Sequence, residues 1–487
     1  MLYCLEGVDA KEKSVRSRLC QVIVACVNSI DELSDHVWGT FRVKMIERLF
    51  DREAIVRVHA VNAMARLQSL PITEEAGGLT VLDVFMDLLQ HDPSSEVRRT
   101  VLNQIDVGEK SLSTILARKR DQDPKIRKAF YTAKLAEIDI RTLSVQQRDE
   151  VLRTGLTDRD QSVKQACIDM IFTNWIHDTN SNLVDFLACL DVQSNTKMSE
   201  SALESFFGMN PSMFEAFSAQ YLENLTVETA FILRVFCGWK RAQTGDPGVV
   251  QEMLPELVQM SNYIRRAYES LLASDPDDAV VRAEIEFILH ELLLTASHLD
   301  FSDEVGRRVL ADALLDLLTN LELGESCFSE SLKLLRLQCP EPAEFIQTGT
   351  SLIADFRDVY TCDGSQPTPA HSNDELLQRS LEALTIGAAL PEDVRILAYL
   401  RALEIVKELY DLPCTGGCFE EDPILPELLT EIVIPAVNSQ FAVVQASGLH
   451  CLGMACTLSK DLASEYLPLL FEFVRLGQDD TALIALR

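Results

Sequence analysis

At 487 residues, with 47% hydrophobic and 24% charged side chains, the chain has the composition of a well-cored folded protein and not of a disordered one. A net charge of −31 argues against a nucleic-acid binder if the chain is taken whole, and no apolar run approaches the roughly 18 residues of a membrane span. The start MLYCLEGVDAKEK has no cleavable signal pattern. The 13 Cys are scattered, several of them (Cys20, Cys167, Cys451) at helix-core positions, so they read as small apolar side chains in an intracellular protein and not as a disulfide framework.

The predicted elements repeat. EKSVRSRLCQVIVACV carries Val15, Arg16 and Leu19, with Ala10 where later copies have Asp. Then come Asp51, Val56, Arg57, Ala60, Val61; Asp92, Val97, Arg98, Val101, Leu102; Asp121, Ile126, Arg127, Phe130, Tyr131; and Asp158, Val163, Lys164, Cys167, Ile168. The aliphatic anchors are 41, 41, 29 and 37 residues apart. A period of roughly 30 to 45 belongs to stacked helical hairpins, because each hairpin exposes an apolar face that only its neighbour can bury. From each anchor, apolar residues follow at plus four and plus five, and again near plus eight (Met64, Ile105, Ala133, Ile171), which is one helical face. In HDPSSEVRR and DQDPKIRK an Asp precedes Pro, so the Asp is expected to cap the helix while Pro takes its first turn. The Asp and the Arg or Lys six residues later are expected to be a structural pair that ties successive hairpins together.

The regular hairpins fill residues 1–175. Residues 176–354 keep helical periodicity but lose the Asp and Val-Arg skeleton, and read as degenerate acidic repeats. Residues 355–375, DFRDVYTCDGSQPTPAHSNDE, are expected to be a flexible loop. Residues 376–487 return to helical repeats and stop at GQDDTALIALR, where a hairpin turn at Asp479 and Asp480 has only begun. The array is therefore expected to extend past both ends.

Catalytic patterns are scarce. His290, Glu291 and His298 miss the i, i+4 spacing of a zinc helix, and Cys414 with Cys418 needs two further ligands, with only His450 and Cys451 near in sequence. There is no Gly-rich phosphate loop and no nucleophile elbow. No enzyme activity, metal or cofactor is expected. The basic residues are more informative. Residues 1–170 hold 25 Lys and Arg against 26 Asp and Glu, so of the chain's 44 and 75 the remainder keeps 19 and 49. Within the balanced part, residues 109–134 carry eight basic and three acidic side chains. Arg57, Arg98, Arg127 and Lys164 are assigned to the Asp pairs. Arg99, Lys110, Arg118, Lys119, Arg120, Lys125 and Lys128 have no such duty and are the candidate DNA contacts; singly each is an ordinary solvated cation, but stacking would align them into a stripe. Such a stripe touches phosphates and reads no bases.

DPSSEVRRTVLNQI, RDQDPKIRKAFYTAKLAE, SVQQRDEVLRTGLTDRDQSVKQAC, FLACLDVQSN and LHCLGMACTLSKDLASEYLPLLFEF resemble the CAP-G type HEAT-repeat subunit of condensin, over residues 40–205 and 425–475. The hairpins match HEAT repeats in general; LTDRDQSVKQAC followed by LDVQSN is more specific. The resemblance implies an all-α HEAT-repeat α-solenoid, a crescent-shaped superhelix without catalytic activity. It implies as partners a segment of the condensin kleisin subunit, through it the SMC ATPase subunits, and double-stranded DNA in a positively charged groove, with no membrane and no small-molecule substrate. It further implies a role in mitotic chromosome condensation, and a place in the nucleus and on mitotic chromosomes, with cytoplasmic residence in interphase. The chain departs from the pattern in its acidity and in lacking the first and last repeats. The rival reading of the same hairpins is a protein-only scaffold or adaptor resembling a transport receptor.

Overall fold

The computed structural model describes residues 1–29, 34–72, 79–209, 220–339, 341–361, 392–412 and 423–476. Among these residues there are helices and no strand, apart from one isolated bridge between Pro71 and Thr80. The chain forms two compact units, Met1–Ala216 and Phe217–Arg487.

In the first unit the expected hairpins are α1/α2 (Leu2–Gly7, Lys13–Ser29), α3/α4 (Asp35–Leu49, Ala54–Met64), α5/α6 (Val81–His91, Ser95–Gln104), α7/α8 (Glu109–Ala117, Pro124–Ala129) and α9/α10 (Val145–Leu156, Gln161–Met170), and a further pair, α11/α12 (Leu183–Leu190, Thr196–Met209), follows them beyond residue 175. The second helices α2, α4, α6, α8 and α10 pack one on the next, each burying the stripe its predecessor exposes. Val56, Val97, Ile126 and Val163 lose all contact with solvent there. Val15 stays 43% exposed on the flank of α2. α8 and α10 each continue through one π turn, Phe130–Lys134 and Ile171–Trp175, which seats Phe130, Tyr131 and Trp175 in the core.

One cap is not where the sequence put it. Asp123 caps α8 as expected, accepting from the Lys125 N–H at 2.9 Å with Pro124 in the first turn. Asp92, by contrast, lies two residues before the N-cap: Ser94 caps α6, and Pro93 stands outside it. The Asp92 carboxylate instead accepts from the Ser94 N–H at 2.8 Å, closing an Asx turn.

The second unit holds α13 (Val227–Thr244), α14 (Leu257–Ala273), α15 (Ala279–Ala296), α16 (Glu304–Leu318), α17 (Glu325–Gln338), α18 (Pro342–Thr361), α19 (Glu392–Tyr410), α20 (Ala442–Leu458) and α21 (Lys460–Leu476). An interrupted helix, Ile424–Leu428 and its continuations to Val437, precedes α20. α13 packs on α15 and α15 on α17, while α14 packs on α16. Residues 355–361 of the expected loop are helical instead, because α18 runs to Thr361 with Phe356 and Val359 buried three apart on its inner face. The polar letters of DFRDVYT belong to that helix's outer side. The rest of the expected loop, 362–375, lies outside the described residues, as do Cys414, Cys418 and the turn at Asp479.

Candidate nucleic-acid interface and the ladder that frames it

The Asp and Arg of the repeat are joined across hairpins. Each Arg reaches forward and grips the Asp of the next hairpin through Nε and Nη2: Arg16 to Asp51 at 2.8 and 3.0 Å, Arg57 to Asp92 at 2.7 and 2.8 Å, Arg98 to Asp121 at 3.0 and 2.9 Å, Arg127 to Asp158 at 2.7 and 2.9 Å. The third nitrogen, Nη1, donates back to the carbonyl six residues earlier, that of Ala10, Asp51, Asp92 or Asp121, at 2.7 to 2.9 Å. Ala10 serves as well as Asp because only its backbone is used. Each Asp also accepts from the N–H two residues on, those of Glu53, Ser94, Asp123 and Asp160. Burial pushes the carboxyls of Asp51, Asp121 and Asp158 up, but the guanidinium and backbone hydrogen bonds outweigh it and hold all three below the ordinary aspartate range. This corrects the expected pair: successive hairpins are tied, but each Asp carboxylate bonds the Arg of the preceding hairpin, and the Arg six residues on takes only the Asp carbonyl. Lys164 departs from the expectation. No carboxylate among the described residues pairs with it, and the position that would supply one, three residues ahead of α12, is Gln193.

Two further clamps had no sequence signal. Gln68 bonds the Gln104 carbonyl at 2.8 Å and the Asp106 N–H at 2.9 Å. The buried Lys134 donates to the Ile105 carbonyl at 2.8 Å from the other side. The turn between α6 and α7 is thus held from the hairpins before and after it.

The seven candidate cations separate on this frame. Arg118 is a structural residue: its Nη1 donates to the Leu89 carbonyl at 2.8 Å and to Asp121 at 3.1 Å, and burial lowers its pKa. Lys119 is also structural, buried against Glu150 at 3.1 Å. Both correct the expectation that they had no internal duty. Arg120 is 65% exposed but bonded to the other oxygen of Glu150 at 2.8 Å. Lys110 is exposed on α7 and holds Asp83 of α5 at 2.5 Å, which with the Thr80 backbone N–H lowers the Asp83 carboxyl to about 2. Arg99, Lys125 and Lys128 are exposed and have no carboxylate within 4 Å among the described residues. Arg99 is on α6 and both lysines are on α8, which packs directly against it. Three unengaged cations therefore share two adjacent second helices, while the first helices and the turn after α7 neutralise their own charge.

Glu291 is buried under Arg234 at 2.6 Å, His298 faces Arg241 at 3.2 Å, and no group of three or more potential metal ligands occurs among the described residues. Cys20 and Cys451 are buried thiols pushed up to about 11 and about 12 by desolvation.

Stacked helical hairpins tied by an Arg–Asp ladder define a HEAT-type α-solenoid. The model of the family described as "Nuclear condensing complex subunits, C-term domain" matches residues 401–487. The chain is 33% identical to condensin complex subunit 3 of Schizosaccharomyces pombe over 96% of its own length and 55% of that protein, and 24% identical to the Homo sapiens protein of the same name over 100% and 53%. It thus spans about half the length of the curated relatives it matches. Superposed on a chain of the S. pombe condensin Cnd3–Cnd2 subcomplex it gives a TM-score of 0.80 at 32% identity, covering 99% of this chain and 58% of that one. A C-terminal fragment of the Chaetomium thermophilum cohesin loader SCC2 shares the fold, with a TM-score of 0.51 at 13% identity, covering 100% of this chain and 34% of that fragment. The chain is therefore similar, along nearly its whole length, to condensin complex subunit 3, the CAP-G type that its repeats resemble.

Proposed function

We propose that the chain is a non-catalytic HEAT subunit of condensin that is bound by the kleisin subunit, joined through it to the SMC ATPases, and in contact with the phosphates of double-stranded DNA during mitotic chromosome condensation, in the nucleus and on mitotic chromosomes. Kleisin binding is supported by the likeness to the S. pombe chain solved in complex with Cnd2. DNA contact rests on a single observation: Arg99, Lys125 and Lys128, on the adjacent helices α6 and α8, have no carboxylate within 4 Å among the described residues. Lysine and arginine presented to solvent along stacked helices meet phosphates without regard to sequence. Lys110 and Arg120 contribute less, because a phosphate must first displace Asp83 or Glu150.

The test is affinity purification from dividing cells, followed by duplex binding of the purified assembly. Kleisin and SMC subunits should copurify. Charge reversal at Arg99, Lys125 and Lys128 should weaken binding to unrelated duplexes alike, and reversal of Arg120 alone should weaken it less. Binding that survives the triple reversal would favour the protein-only scaffold as the role of this face.

A further inference from the structure

In the first unit each ladder carboxylate sits three residues ahead of a second helix: Asp92 before Ser95, Asp121 before Pro124, Asp158 before Gln161. The second unit repeats this frame with one member changed. Arg307 of α16 donates Nη1 to the Phe301 carbonyl, six residues back and 3.0 Å away, as Arg57, Arg98 and Arg127 do to residues 51, 92 and 121. The next second helix, α18, starts at Pro342, so the residue three ahead of it is Cys339. Burial, with the nearby charge of Glu344, pushes that thiol up to about 11 against the opposing influence of Arg307, so it is neutral near pH 7 and supplies no carboxylate. Arg307 has no ion pair among the described residues.

The packing shows the consequence. α14 lies along α16, but α16 and α18 make at most marginal contact. A cavity of about 300 Å³ opens between them, lined by Arg307 and the Glu304–Arg308 ion pair of α16, by Cys339, and by Glu344 and Thr348 of α18, with Gln338 of α17 also in its lining. Gln338 is only 5% exposed, and its Oε1 is buried without a hydrogen-bond partner, a costly state for an amide oxygen.

We propose that this gap is a binding site for an acidic side chain, Asp or Glu, on a peptide segment of a partner protein, whose carboxylate seats between Nε and Nη2 of Arg307 and completes the rung that Cys339 leaves open. The four filled rungs show what such a fork takes: a planar carboxylate held by two parallel N–H bonds. A peptide also brings backbone N–H donors to the polar lining of the cavity, which a bare anion lacks. A nucleic-acid or free phosphate carries more charge toward Glu344 and offers no such donor. This inference stands independently of the DNA reading, which concerns the other unit.

The probe is the peptide acetyl-Gly-Leu-Glu-Leu-Gly-amide, titrated calorimetrically against the whole chain beside its Gln counterpart and inorganic phosphate. The Glu peptide should bind about tenfold more tightly than either, the loss expected when a bidentate ionic contact is removed. E344Q removes an opposing charge without touching the fork and should tighten binding. R307K keeps the charge but not the fork and should weaken it. C339D supplies the rung from within, and should raise the melting temperature while abolishing peptide binding. No measurable binding at millimolar peptide, equal affinity for the Glu and Gln peptides, phosphate binding as tight as the Glu peptide, or undiminished binding by C339D would each overturn the proposal. Should R307K or C339D fail to fold, the Glu-against-Gln comparison on the unaltered chain and E344Q still decide.

Discussion

Asp121 does more than any other ladder carboxylate. It accepts two bonds from Arg98, one from Arg118 and one from the Asp123 N–H. Replacing it with Asn keeps the shape and removes the charge, leaving two largely buried guanidinium groups uncompensated. The expected cost is about 3–5 kcal/mol, the range for breaking one side of a buried pair, read as a fall in the urea midpoint. Val97→Asp places an unpaired charge at a position with no solvent contact and should cost several kcal/mol, whereas Glu96→Ala on the exposed side of α6 should stay within about 0.5 kcal/mol. Equal melts for those two variants would remove the register assigned to the repeat. Gly155 adds a steric test. A Cβ there would lie 2.4 Å from the Cys167 Sγ and 2.7 Å from the Tyr131 hydroxyl, so Gly155→Ala should overpack α9 against α10 and cost about 1–3 kcal/mol. At this scale the buried anchors were legible because helical periodicity marks them. The duties of Arg118 and Lys119 were not: the Leu89 carbonyl and Glu150 stand about thirty residues away, and Asp121, which Arg118 also bonds, is assigned by the repeat to another Arg.

The hairpins themselves were legible from Asp, anchor and Arg at fixed spacing, and the second helices stack as that spacing requires. What a linear reading could not supply was the direction of each rung: the Arg sees its own Asp six residues back, yet the geometry gives it only that residue's carbonyl and sends the fork to the next hairpin. This coupling makes the stack acid-sensitive in one direction. The Asp51, Asp121 and Asp158 carboxyls are lowered in the folded protein, so the folded state binds fewer protons than the unfolded chain as pH falls. Their contribution is fully present above the unfolded aspartate value of about 3.9 and is lost as pH drops through the lower folded values. Urea midpoints measured from pH 7 to pH 3 should therefore change little on account of these groups until about pH 4.5 and then fall. Asp121→Asn, already lacking one rung, should show a shallower acid limb; an identical limb would mean that the ladder does not set acid stability.

Over the whole chain the charge is divided: residues 1–170 are nearly balanced, and the excess acid lies beyond them. The net value of −31 would by itself predict repulsion from DNA, and composition alone could not show that part of the basic segment is spent internally. Among the described residues three of the seven candidate cations have no carboxylate within 4 Å, and this sets the size of the effect to be measured. If Arg99, Lys125 and Lys128 each meet one phosphate, replacing all three with Glu should flatten the slope of log affinity against log salt by roughly 3, near 0.9 per contact on B-form DNA. The acidic remainder acts at longer range, and at about 0.15 M salt a Debye length near 8 Å confines its repulsion to its own surface. Raising salt therefore weakens the three contacts and the repulsion together, so the slope of the unaltered chain should fall short of the sum of its contacts, and the difference between chain and variant is the quantity to read. An unchanged slope and affinity in the triple variant would assign α6 and α8 to solvent and place any DNA contact on other helices, because no rearrangement of surface charge elsewhere could restore three lost counterion-releasing contacts.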